Sequence, residues 1–111
     1  MTLTNAYARG NLQQFVSVFA PDAQSNESIS RSAIEEDYRK LFTLTDLRKM
    51  IISDVQWIEK QNGYQGQGSF KLFVREKGAG AVSNYGGTVS FQVEKSNKGL
   101  VFSQLDYHYK D

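Results

Sequence analysis

Asp54 is the residue whose type and setting most suggest chemistry. It lies within Met50-Ile51-Ile52-Ser53-Asp54-Val55-Gln56-Trp57-Ile58, a carboxylate in an apolar run with the period of a strand. If the even positions face inward, Asp54 and Gln56 point into the protein beside Met50, Ile52 and Ile58. Burial of that kind suits a carboxylate to abstracting a proton next to a carbonyl. If Ile51, Val55 and Trp57 face inward instead, Asp54 is an ordinary outward residue, and this odd set is the larger and more apolar at its centre. A second pair is Asp106 and His108, the latter the chain's one histidine. On a strand both project from one face, with Cβ atoms about 6.5–7 Å apart, and a carboxylate so placed orients or charges an imidazole for general-base work. The competing reading is a solvated strand end, where the rigid shell that catalysis needs is seldom built. Tyr38, Tyr64, Tyr85, Tyr107 and Tyr109 either line a cavity and donate hydrogen bonds to a ligand or are buried in a core or interface with satisfied hydroxyls.

Other chemistries lack their residues. The chain has no cysteine, which removes thiol catalysis, disulfides, zinc–thiolate sites and iron–sulfur clusters. One histidine, no Asp-x-Asp-x-Asp loop and no His-x-x-x-His pair give no expectation of a metal. Gly78-Ala79-Gly80-Ala81 is followed by no Lys-Ser/Thr, so it is not a phosphate loop, and no Gly-x-Ser-x-Gly elbow occurs. Thirteen Lys and Arg against 12 acidic residues leave a net charge of +1, and the cations are scattered from Arg9 to Lys110 rather than striped. Neither nucleic acid nor membrane insertion is expected from that balance, and no cofactor is expected. With 111 residues, 40% of them hydrophobic, the chain has material for one cored domain over 1–111.

The elements that would position these groups divide near residue 45. Leu3, Ala6 and Tyr7 predict a short helix ending at Gly10. Leu12, Phe15, Val16 and Phe19 follow a helical face, with Asn11 as N-cap and Pro21 forcing a stop by about Ala20. Asp22 to Ser30 is polar and is expected to hold one short strand and a loop. Ser32-Ala33-Ile34-Glu35 has the form of a capping box. It opens a helix with the buried stripe Ile34, Tyr38, Leu41 and Phe42 and with Glu35-Glu36-Asp37 in its first turn, where negative charge suits the dipole. After Thr45 the period shortens to two, predicting strands at 47–60, 64–77, 84–95 and 100–109. Asn62-Gly63 reads as a type I′ hairpin turn, and Gly66, Gly68, Gly86 and Gly87 as bulges or bends.

Tyr7-Ala8-Arg9-Gly10-Asn11-Leu12, followed by Phe15 and Phe19-Ala20-Pro21-Asp22-Ala23, resembles the opening of nuclear transport factor 2-like (SnoaL-like) domains. Ser32 to Tyr38 matches the helix that follows, and the meander ending Leu105-Asp106-Tyr107 matches the remainder. The resemblance implies an α+β, cystatin-like cone. Its N-terminal helices would pack on a strongly curved four- to five-stranded antiparallel sheet, with a cavity between them and frequent homodimers. Isomerases, dehydratases, cyclases, transport adaptors and binding domains share this architecture, so the fold does not choose the function. Relatives carry a longer first helix and also occur as C-terminal appendages of bacterial cell-envelope proteins. The start therefore raises the expectation that this domain works within something longer.

The expected function is a non-catalytic module for small-ligand binding, protein interaction or dimerisation, with Phe15, Phe19, Tyr38, Phe42, Asp54 and Gln56 as pocket residues. The partners expected are a second copy across the sheet and a small apolar ligand or partner segment in the cone. Dimerisation is expected because Trp57, Phe73 and Tyr107 would leave apolar patches on the outer face. The alternative is a small cofactor-free isomerase or lyase acting on a hydrophobic carbonyl compound. Its catalytic candidates are Asp54 as base and Tyr38 as acid, with Asp106 and His108 as further candidates. The sequence as written fits a soluble cytoplasmic protein, or a cell-envelope one if it comes from a longer secreted chain.

Overall fold

A glycine and an asparagine divide the N-terminal helical segment in two. Helix α1 spans Thr2–Arg9 and ends at Gly10, whose φ of 66° is left-handed backbone that glycine adopts without penalty. Asn11 then caps helix α2 (Leu12–Ser17), its side chain accepting from the Gln14 N–H at 3.1 Å. In this computed structural model, which describes residues 2–26, 28, 30–97 and 99–110, α2 stops at Ser17 rather than near Ala20. Phe19–Ser25 instead form strand β1, because the residue before Pro21 is pushed towards extended backbone and a proline is tolerated on a sheet edge.

Helix α3 covers Arg31–Leu44. Its cap is Ser30, accepting from the Ala33 N–H at 3.1 Å, so Ser32 lies inside the first turn and, with Ala33 rather than Glu or Gln three residues after the cap, the expected capping box does not form. No acidic residue stands in that first turn. Glu35 and Glu36 each pair with Arg39 at 3.2 Å on the exposed side, contacts that contribute little to stability. Ile34 is buried and Tyr38, Leu41 and Phe42 pack against the core, as the helical stripe predicts.

Strands β2 (Thr45–Lys60), β3 (Gly63–Glu76), β4 (Ser83–Ser96) and β5 (Gly99–Tyr109) form an antiparallel meander in the order β1-β5-β4-β3-β2. The first hairpin pairs Lys60 with Gly63 across Gln61 and Asn62, and neither of these two has positive φ, so the expected Asn62-Gly63 I′ turn does not form. Gly63 serves a different purpose: a Cβ there would lie 1.8 Å from the Val93 carbonyl oxygen on β4. Two further expectations are corrected. The sheet is mixed, because β1 pairs parallel to β5 (Phe19 with Phe102, Gln24 with Gln104). It is also open and not strongly curled, with β1 and β2 as unjoined edges.

The most consequential irregularity is in β2. Ser53 pairs with Ser69 and Gln56 with Gln67, so Asp54 and Val55 together stand opposite Gly68. Asp54 takes up the distortion with a φ of 55°. Gly68 makes room for it, since a Cβ there would lie 2.7 Å from the Ser53 carbonyl oxygen.

The core lies between α1, α2, α3 and the face of the sheet they cover. Tyr7, Phe15, Tyr38 and Phe42 form one aromatic cluster, with ring centroids from 4.4 Å (Phe15–Tyr38) to 6.3 Å (Tyr7–Phe15). Phe19 and Phe102 extend it towards Phe91. Arg48 of β2 ties α1 down. Its Nε donates to the Tyr7 carbonyl at 3.2 Å, its Nη1 donates to the Thr45 carbonyl and hydroxyl at 2.7 and 2.6 Å, and its guanidinium lies 5.3 Å from the Phe42 ring centre. Among the described residues no helix is long and apolar enough to cross a membrane.

Candidate functional site

Between α1, α3 and the covered face of the sheet lies an open pocket of about 370 Å³. The strand period decides which residues reach it. On β3, the even positions Phe70, Leu72, Val74 and Glu76 line it. Across the meander they are joined by Met50 and Ile52 of β2, Tyr85 and Val89 of β4, and Leu105, Tyr107 and Tyr109 of β5. Helix α1 contributes Leu3 and Tyr7, and α3 contributes Asp37, Tyr38, Leu41 and Leu44. Five of the chain's six tyrosines are therefore in this lining.

Tyr7 is 1% exposed, and burial pushes its hydroxyl up to about 12, with Tyr109 adding to the rise and the Arg48 charge opposing it. It is a neutral phenol throughout the physiological range. Asp37 accepts a 2.5 Å hydrogen bond from the Ser28 hydroxyl, and Ser28 itself is buried. Glu76 stands at the end of β3 opposite Thr45. Among the described residues neither carboxylate forms an ion pair, and no Lys, Arg or His lines the pocket.

The expected site residues separate. Tyr38 lines the pocket, as do Tyr85, Tyr107 and Tyr109. Tyr64 does not; it packs edge-to-face on Trp57 at 6.4 Å. Phe15 and Phe19 are fully buried in the core behind the lining, and Phe42 carries the Arg48 guanidinium. Asp54 and Gln56 are exposed and outside the pocket. The reason is the bulge. Met50 and Ile52 face inward before it, Val55 packs on the core after it, and Trp57 reaches the buried Phe91 at 5.2 Å. Each of the two alternation patterns allowed by the sequence holds on one side of Asp54, and Asp54 itself is the switch.

Asp106 and His108 also lie away from the pocket, since their neighbours Leu105, Tyr107 and Tyr109 face it. Asp106 Oδ2 accepts from Gln104 Nε2 at 3.0 Å, and His108 is exposed opposite Thr88. Tyr107 and Trp57 point to the helix side of the sheet, so of the three aromatics expected on the outer face only Phe73, between the inward Leu72 and Val74, belongs there. Sequence reasoning missed Tyr7, Asp37, Leu44 and Glu76. For α3 a signal was present: Asp37, Leu41 and Leu44 stand at i, i+4 and i+7, a second stripe beside the one containing Tyr38.

The architecture is that of the nuclear transport factor 2-like fold, an α+β arrangement of N-terminal helices on a five-stranded mixed sheet. A Novosphingobium aromaticivorans protein bearing the provisional name of an aromatic ring hydroxylase superposes with a TM-score of 0.90 at 13% identity, over 99% of this chain and 82% of that one. A Salmonella enterica nuclear transport factor 2-like superfamily protein gives 0.86 at 12% identity, over 99% and 84%. A Xanthomonas campestris protein provisionally named a calcium/calmodulin dependent protein kinase II association domain gives 0.84 at 21% identity, over 98% and 81%. No protein-family model and no curated protein sequence matches the chain.

Proposed function

We propose that this chain is a binding module that holds a small, largely apolar ligand in the pocket between α1, α3 and the sheet. The observation that carries this reading is the lining: apolar walls, five tyrosine rings and about 370 Å³, within the usual range of ligand sites. The solvatochromic neutral dye Nile red tests it. Blue-shifted emission that saturates with the protein and is lost in Val74→Trp, where the indole fills the space, is the expected result. Equal binding by a folded Val74→Trp variant would mean that the dye sits elsewhere and that the reading is wrong. The isomerase alternative loses its base with Asp54 outside the pocket and would have to recruit Asp37 or Glu76 instead.

Self-association through the uncovered face of the sheet belongs to the same proposal. What supports it is the makeup of that face. Ser69, Thr88 and His108 align across β3, β4 and β5, as do Gln67, Ser90 and Asp106, and Gln65, Gln92 and Gln104. Among the described residues no helix covers these rows. Asp106 Oδ1 is shielded from solvent yet accepts from no described donor, a deficit that a facing copy rich in amide and hydroxyl donors would relieve.

A further inference from the structure

We propose, resting on the pocket reading above, that the ligand is an organic cation: a quaternary or protonated amine carried on an apolar or aromatic body. The first observation is an aromatic wall within the pocket lining. Phe70, Tyr85, Tyr107 and Tyr109 are linked by edge-to-face contacts with centroids 5.6–6.2 Å apart. Tyr85 and Tyr109 remain 50% and 51% exposed at its rim. Aromatic rings gathered in this way attract a cation through their quadrupoles, the physics of cages for quaternary ammonium groups.

The second observation is charge. The chain as a whole carries +1, yet the described lining holds two carboxylates and no cationic side chain. Asp37 accepts from the Ser28 hydroxyl on the α3 side and Glu76 stands opposite Thr45 at the end of β3, both of them exposed members of the lining. Neither is neutralised by a described lysine or arginine. An anionic ligand meets repulsion here, and a neutral one leaves both charges unused. Deeper in, Leu3, Leu41, Ile52, Leu72 and Leu105 provide the apolar floor for the ligand's body.

Three probes of similar shape separate the terms: phenyltrimethylammonium, its neutral isostere tert-butylbenzene, and benzenesulfonate. Each is titrated into the intact chain while the tyrosine ring resonances are followed by NMR. The cation is expected to bind about tenfold more tightly than the isostere, with benzenesulfonate the weakest. Raising the salt should weaken the cation alone. Glu76→Gln should reduce cation affinity severalfold and leave the isostere unchanged, and Tyr85→Leu, which keeps apolar bulk, should do the same. A neutral isostere that binds as tightly as the cation overturns the proposal and leaves the pocket reading standing. If none of the three probes shifts the tyrosine resonances, both fall.

Discussion

At the scale of single residues, Asp54 and Tyr7 show how local backbone and burial decide a role. Asp54 adopts left-handed backbone in mid-strand, at φ 55°, a conformation that Asp and Asn tolerate and β-branched residues do not. Asp54→Val should therefore cost about 1–2 kcal/mol in urea denaturation, while Asp54→Asn should stay within about 0.5 kcal/mol. Because Asp54 is outside the pocket, Asp54→Asn should also leave Nile red affinity unchanged, and the same holds for any turnover found later. A pH–rate profile that follows one carboxylate and vanishes in the Asn variant would contradict this. Tyr7 makes a prediction about pH. Its hydroxyl is raised from 10.0 to about 12 by burial, so the folded state holds a proton that the unfolded chain releases first. That contribution is complete below pH 10 and is lost as the pH climbs towards 12, at a cost on the order of 2–3 kcal/mol. Tyr7→Phe, compared by urea melts at pH 9 and 11, should show a shallower alkaline loss than the native chain.

Among the elements, the junction between α1 and β2 depends on one side chain. Arg48 serves two carbonyls, a hydroxyl and an aromatic face at once. Its guanidinium also crosses Gly10 so closely that a Cβ there would lie 2.5 Å from Nη2. Arg48→Ala should cost about 2–3 kcal/mol, and Arg48→Lys should recover less than half, because an ammonium cannot serve these partners together. Hydrogen exchange should find α1 opened in both variants. That α1, α2, α3 and the four-strand meander exist was legible from apolar period and from Gly10, Asn11 and Pro21. The strand β1 was legible only as a short segment, since its start at Phe19 lies within a run that also fits a helical face. Of the tyrosines that the sequence offered either for a cavity or for a core, Tyr38, Tyr85 and Tyr109 stand in the lining, whereas Tyr107 stands there against the expectation that put it on the outer face. The pocket was not legible at Asp54, because a bulge inverts the side-chain period and its signature, an aspartate opposite Gly68, depends on register rather than on local sequence. Asp37 was obscured differently: within Glu35-Glu36-Asp37 it looks like solvated charge, and only the three-dimensional position of Ser28 singles it out.

For the whole molecule, the two faces of the sheet carry different burdens. One is covered by helices and holds the pocket; the other presents rows of Ser, Thr and Gln around Asp106. Apolar drive on that second face is small, with Ile51 and Phe73 diagonal to one another beside Lys49 and Lys71. Self-association there must rest on hydrogen bonds between matched polar rows, which favours a modest rather than an obligate dimer. Sedimentation should find a reversible dimer at tens of micromolar that weakens on dilution. Ser90→Arg places a bulky charge in the central row, across from Gln67 and Asp106, and should leave a monomer with an unchanged circular dichroism spectrum. Because Ser90 projects from the face opposite the pocket, the same variant should keep full Nile red affinity. A native chain that sediments as a monomer at these concentrations would remove self-association from the proposed function. A Ser90→Arg variant that remains dimeric would instead place the contact elsewhere, with the exposed edge of β2 around Trp57 and Ile58 the next surface to test.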